Sequence, residues 1–427
     1  MQYVNSKEIS DFVTNNLAAD FVMLPGNPNG ATWENDLLLA IGPERTGSSD
    51  PGKSFSGPGQ LPNDKDEEWK FGYIAYDYKN ELEALHAPPP ASIQVYPSYF
   101  FKPAFLLKEK NGMIETLRNE WHVPESFLTS ICNRISGKAP AGSESFKSML
   151  LRARHSRNSY LKQVKLIQDH LRAGDIYELN FCMEFFAEDV KLDPLELFTR
   201  LRIKANAPFS AFCRFGHVYI ISSSPERYLR KTGSALFSQP IKGTRRRGIN
   251  KLEDERLKKE LLQDEKERAE NVMIVDLVRN DLSRVAQKGS VKVDELFGIY
   301  TFEQVHQMIS TVSCTLKRDV TFEEIIRSTF PMGSMTGAPK ISAMKLIDRY
   351  EHSSRGLYSG ALGYLTPEGD FDFSVVIRTI LYDAAKQYLS FSVGSAITVL
   401  SDPEREYEEC LVKARALIEV LNGKLSG

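Results

Sequence analysis

Residues Ser222 to Gly248 read SSSPERYLRKTGSALFSQPIKGTRRRG, and the rest of the chain is organised around this stretch. The apolar run Val218 to Ile221 ahead of it predicts a strand ending in a Ser-Ser-Ser-Pro-Glu turn. Ser234 to Gln239 predicts a second strand, ending in Pro-Ile-Lys-Gly-Thr. An acid, Glu226, and an amine, Lys242, then sit at the ends of consecutive strands. Lys242 lies between Pro240, whose ring fixes the backbone, and Gly243, which opens it to close ligand approach. If burial and the cations Arg245, Arg246 and Arg247 disfavour its charged form, Lys242 has a lowered pKa and serves as a nucleophile. The same local sequence also suits a surface turn lysine.

Working outward, the 427 residues are 42% hydrophobic and 26% charged, enough to bury a large core as one big domain or two. With 54 basic and 56 acidic side chains the chain is nearly neutral. No basic field or aromatic-interleaved basic run marks a nucleic-acid or anionic-membrane surface. The short cluster Arg245 to Arg247 is better matched to a small anion. The five cysteines stand singly, without CxxC or Cys/His spacing, which argues against a disulfide framework and a zinc site. The N-terminus has no export signal and no run of about 18 apolar residues occurs, so a soluble cytoplasmic protein is expected.

Toward the N-terminus, Asp36 to Ile41, Trp69 to Tyr78 and Phe100 to Lys108 are short apolar runs typical of strands. Gly47 to Ser54 matches a P-loop literally, but the Gly- and Pro-rich continuation cannot start the helix that phosphate binding needs. Gly137 to Ser145 is the candidate linker. Beyond it, Ser156 to Ala173 predicts a helix stopped by Gly174, Ile176 to Phe186 a strand, and Pro194 to Ala205 a helix. Lys251 to Ala286 predicts one long charged helix. Val305 to Ser310 is a strand with a lone histidine, His306, near its start. A helix from Thr321 to Thr329 and the Gly-rich turn Phe330 to Lys340 follow. Gly360 to Leu365, Phe371 to Tyr382 and Tyr388 to Val399 predict a three-stranded meander. In its second strand Arg378 is a charge among apolar residues, which suits either a carboxylate-binding role or a solvated face.

Glu267 and Glu270 lie one turn apart on one helix face. A later helix is capped by Asp402 with Pro403 at its first position, and Glu406, Glu409 and Lys413 form a single stripe on it. Two such E-x-x-E pairs are the minimum for a hard-cation site. The helix dipole alone also favours glutamates in a first turn.

From about Ala173 to Ala416 the segments GDIYELN, SSSPER, PIKGT, KERAENVMIVDLVRNDLSRVA, VHQMIS, FPMGSMTGAPK, LYSGALGYL, FSVVIRT and EREYEECLVKARA resemble the chorismate-binding enzymes in order and spacing. That family includes anthranilate synthase component I, aminodeoxychorismate synthase component I, and isochorismate and salicylate synthases. The resemblance implies an α+β fold: two packed antiparallel β-sheets flanked by helices, with the site in the cleft between the sheets. Residues 1–140 would form the N-terminal part of this unit and 141–427 the chorismate-binding catalytic region.

Within the family, aminodeoxychorismate synthases resembling this chain carry lysine in PIKGT, where anthranilate synthases carry alanine. The resemblance therefore implies that Lys242 attacks C2 of chorismate while Glu226 protonates the departing C4 hydroxyl. Ammonia then displaces the lysine, giving 4-amino-4-deoxychorismate for 4-aminobenzoate and folate synthesis. His306 matches an active-site histidine. Tyr358 and Arg378 would hold the enolpyruvyl carboxylate, with backbone amides near Gly394, while Gly243 and Thr244 line the ring pocket. Glu270 and Glu409 match ligands of Mg²⁺, with Glu267 and Glu406 as further or alternate ligands and Lys413 nearby. Anthranilate synthase component I and an inactive chorismate-binding regulatory protein are the alternatives.

Two departures stand out. Gly394-Ser-Ala396 replaces the usual G-x-G, and Glu178 stands where related aminodeoxychorismate synthases often have glutamine and the isochorismate and salicylate synthases a lysine base. A Leu-Leu-Glu-Ser pattern is absent, so no tryptophan feedback is expected. None of the cysteines lies in a glutaminase-type elbow, so ammonia is expected from solution or from a separate glutaminase subunit. No lyase domain is expected with this chain, and a further enzyme is expected to complete 4-aminobenzoate.

Overall fold

In the computed structural model, described residues are 19–26, 33, 37–42, 60–63, 66–85, 90–111, 113–120, 148–303 and 305–426. The P-loop match, the linker and the boundary at 140/141 lie outside them.

Two strands near the N-terminus show how the layers arise. In Phe21–Pro25, Phe21 and Met23 belong to one apolar cluster while Val22 and Leu24 belong to another. In Leu37–Ile41, Leu37, Leu39 and Ile41 face the first cluster, and Leu38 and Ala40 the second. Successive strand residues point to opposite faces, so an unbroken apolar run is a strand covered on both sides. One cover is a set of helices, Arg157–Ala173, Pro194–Ala205, Lys340–Tyr350 and Pro403–Val420. The other is a second sheet, whose Phe71, Tyr73, Leu362 and Tyr364 share the cluster of Val22 and Leu24. That sheet is backed in turn by Glu265–Val285 and Phe322–Thr329. The layers run helix, sheet, sheet, helix, as the α+β expectation had it.

Among the described residues the sheets have 12 and 9 strands, and all but one of the strand pairings are antiparallel. Strands from residues 19–120 enter both: Phe21–Pro25 pairs with Phe209–Phe215 in the larger, and Lys70–Ile74 with Ala361–Leu365 in the smaller. Four described cysteines, Cys182, Cys213, Cys314 and Cys410, are free and buried. Among the described residues, no helix is long and apolar enough to cross a membrane.

Three sequence expectations need correction. The single helix from Lys251 to Ala286 is two, Lys251–Gln263 and Glu265–Val285, because Asp264 ends the first and caps the second by accepting from the Glu267 amide. The strand expected at Phe371 to Tyr382 is also two, Phe371–Val375 in the smaller sheet and Thr379–Asp383 in the larger. The meander is therefore a crossing between sheets. Last, Lys242 does not end a strand. Pro240 only bends the chain, and Ala235–Gln239 and Ile241–Arg246 both pair with Val305–Thr315.

Candidate active site

The chain crosses between sheets twice at adjacent places. Val218–Ser224 belongs to the larger sheet and Arg227–Thr232 to the smaller; Phe371–Val375 and Thr379–Asp383 make the reverse passage beside them. The crossings are tied together by Val375 N–H to Glu226 O (3.0 Å), Ser223 N–H to Arg378 O (3.1 Å) and Ser224 Oγ to Val375 O (2.6 Å). Glu226 lies in the first crossing and Arg378, at a left-handed φ of 51°, in the second. Both open onto a cavity of about 720 Å³, a size suited to a small ligand.

Lys242 reaches this cavity through a bulge. Ile241 pairs with Ile309 and Thr244 with Gln307, so Lys242 and Gly243 together face a single partner residue. Gly243 has φ 89°, and a Cβ there would lie 3.1 Å from Glu267 Oε2, so only glycine fits without strain. The amine donates to Glu178 Oε1 at 2.6 Å and lies 3.8 Å from Glu270 Oε2.

The expectation of a lowered lysine pKa is overturned. Burial does push the ammonium down, but the carboxylates of Glu178, Glu270 and Glu226 outweigh it and hold the pKa above the ordinary lysine value. The three arginines do not act on the amine because carboxylates neutralise them. Arg245 pairs with Asp264 and Glu267, Arg246 with Glu253, and Arg247 with Asp254.

The Glu226 pKa is raised as well, but in a carboxyl that favours the neutral form. Burial raises its carboxyl from 4.5 to about 7, against the lowering effects of Ser334, whose Oγ donates to Oε1 at 2.7 Å, Lys242 and the Ile241 amide. It is a proton donor poised near neutrality.

Further along the wall lie Glu267, Glu270 and Glu409. Burial raises Glu270 to about 7 and also raises Glu267, whereas for Glu409 Lys413, at 2.7 Å, overcomes burial and lowers it. Lys266 bridges Glu270 (3.7 Å) and Glu406 (3.4 Å), a cation that the sequence reading passed over. Glu270 Oε1 is buried without a hydrogen bond. Three hard carboxylate donors on one wall, one with an orphaned oxygen, fit Mg²⁺ in donor chemistry. Among the described residues no three acidic, histidine or cysteine side chains converge in ligating geometry. Glu406 does not fit: it is not on the cavity wall, and its oxygens meet Lys266 and Ser395.

Arg378, Tyr358, Gly394 and Lys413 also line the cavity, as do Gly243 and Thr244. Burial lowers the Arg378 pKa, against the raising effects of Tyr358 and Glu409, and a buried guanidinium lining a cavity is suited to an anion. Tyr358 OH contacts Cys182 Sγ at 3.7 Å. Lys413 Nζ donates to Gly394 O at 2.8 Å. A Cβ on Gly394 would lie 2.6 Å from both Asn180 Oδ1 and Cys182 Sγ, so the glycine is required by close strand approach.

The structure sets His306, expected at the active site, apart from the cavity. It is fully buried and does not line the cavity; Nε2 pairs with Asp254 Oδ1 at 2.8 Å and Nδ1 with Thr301 Oγ1 at 3.0 Å. Its strand neighbours Val305 and Gln307 face the cavity instead.

The sequence profile described as chorismate binding enzyme matches residues 33–419. The chain belongs to the chorismate-binding enzyme family. An aminodeoxychorismate synthase of Streptomyces griseus is 46% identical over 276 residues, which are 64% of this chain but 38% of that protein. The chain thus spans well under half of that relative. Anthranilate synthase component 1 of Thermus thermophilus is 36% identical over 361 residues, 82% of this chain and 76% of that one. Among solved structures, anthranilate synthase component I of Streptococcus pneumoniae superposes with a TM-score of 0.72 at 25% identity, covering 93% of this chain and 92% of that one.

Proposed function

We propose that this chorismate-binding enzyme converts chorismate and ammonia to 4-amino-4-deoxychorismate, the kind of product named for its Streptomyces griseus relative. The observation that carries the proposal is a buried amine, Lys242, facing the same cavity as a carboxyl, Glu226, that is half-protonated near pH 7. Glu178, 2.6 Å from the ammonium, accepts its proton. The neutral amine attacks C2, both ring double bonds shift by one position toward C4, and the C4–O bond breaks as Glu226 gives its proton, releasing water. Ammonia then attacks C4, the double bonds return and the C2–N bond breaks. Lys242 recovers its proton from Glu178, and Glu226 takes one from the new ammonium group. The net change is chorismate plus ammonia to product plus water.

Arg378 and Tyr358 bind the enolpyruvyl carboxylate. Glu270 and Glu409, with Glu267, would hold Mg²⁺, which supplies the positive charge that lets a dianion approach an acidic wall. Ammonia comes from solution or from a separate glutaminase subunit.

Anthranilate formation is the second reading, favoured by the Thermus relative that the chain covers over most of both lengths. The lysine in PIKGT weighs against it. Intact-mass analysis after adding chorismate and Mg²⁺ without ammonia tests the proposal. A species heavier by chorismate less one water, mapped to Lys242 and absent from Lys242→Ala, supports it. Ammonia-dependent turnover with no such species at any time rejects the covalent route.

A further inference from the structure

Gln307 lies on Val305–Thr315 near one end of the smaller sheet, paired with Thr244 of the lysine strand on one side and Tyr300 on the other. It is 4% exposed and lines the cavity. Its Oε1 is buried and makes no hydrogen bond. Leaving a buried acceptor unpaired costs about 1–3 kcal/mol, so a carbonyl held this way on a ligand cavity is matched to a donor brought by the ligand.

The chemistry of the proposed substrate narrows the donor, and here the inference rests on the preceding proposal. Chorismate at neutral pH has two carboxylates and an enol ether, which only accept hydrogen bonds; its single O–H is the 4-hydroxyl. Ammonia is the other donor, but in the covalent sequence it acts after the hydroxyl has left. We propose that Gln307 Oε1 accepts a hydrogen bond from the 4-hydroxyl of chorismate and orients C4 for the loss of water. The hydroxyl oxygen is then free to take the proton of Glu226. His306, one residue earlier, is a positioning residue. Through Asp254, which also accepts from Arg247 and the Gly248 amide, it holds the turn that leads into Lys251–Gln263.

The test is a binding cycle, which needs no turnover. Chorismate and its 4-deoxy analogue are titrated calorimetrically, with Mg²⁺, into Lys242→Ala and into Lys242→Ala with Gln307→Leu. Without the lysine no adduct forms. Removing the hydroxyl is expected to weaken binding roughly tenfold when Gln307 is present and little when leucine replaces it. Equal losses in both proteins overturn the proposal. Thermal melts separate this from a structural role: Gln307→Leu alone should melt no lower than the wild type, since it removes an unpaired buried acceptor. A clear drop in melting temperature with an unchanged chorismate KM also overturns it. If the wild type binds chorismate yet forms no 4-amino product, the functional proposal fails while the cycle still decides the role of Gln307.

Discussion

Replacing Glu226 with glutamine should make the protein more stable and less active, with both effects set by one pKa. In the fold burial holds this carboxyl at about 7, against 4.5 when solvated. Below pH 4.5 both states are protonated and the group costs nothing. As pH rises toward 7 the unfolded chain releases its proton and the folded chain does not, so stability is lost steadily; above 7 the loss is constant. A difference of about 2.5 pH units corresponds to about 3 kcal/mol at pH 8, and under 1 kcal/mol at pH 5. Glu226→Gln keeps an oxygen for Ser334 and the Ile241 amide and removes the ionisation. In reversible urea denaturation it should exceed the wild type by about 3 kcal/mol at pH 8 and by little at pH 5. Its kcat should fall roughly 10²- to 10⁴-fold, and the decline of wild-type kcat as pH rises through about 7 should vanish. A variant with the same stability difference at both pH values, or with the wild-type pH profile, would refute the assignment of a buried neutral acid.

Other consequences can be checked as directly. Arg378→Ala should raise the chorismate KM roughly 10- to 100-fold while changing kcat less, as expected for a lost charged hydrogen bond to a carboxylate; an unchanged KM would remove the carboxylate from that wall. Chelation with EDTA should abolish turnover and added Mg²⁺ restore it, whereas Glu270→Gln should raise the Mg²⁺ concentration needed for half-maximal rate. Asp372→Ala should destabilise the fold by about 3–5 kcal/mol in denaturant melts, because it removes the carboxylate paired at 2.9 and 3.1 Å with buried Arg227.

Much of this arrangement was legible where a residue type forces a local conformation. Gly174 closes its helix at φ 80°, and Asp402 with Pro403 opens the helix carrying Glu409. The apolar runs at Leu37 and Phe21 could not say which sheet they join, because strands covered on both faces look alike in sequence. Nor does anything mark the crossing at Arg378, where a non-glycine residue adopts a left-handed backbone. The break at Asp264 was readable in principle from Asp-x-x-Glu, but continuous charged periodicity on both sides concealed it. Which of His306 and its neighbours faces the cavity could not be read, because the face a strand residue takes depends on its register, and register is set by partners far away in sequence. The lysine pKa went wrong for a similar reason: its arginine neighbours in sequence are not its neighbours in space, and Glu178, 64 residues away, is.

The central claim is tested most directly by identifying the product formed from chorismate, Mg²⁺ and ammonium at mildly alkaline pH, with pyruvate assayed in the same vessel. Formation of 4-amino-4-deoxychorismate without pyruvate, abolished by Lys242→Ala, is the expected result. Anthranilate with stoichiometric pyruvate would contradict it.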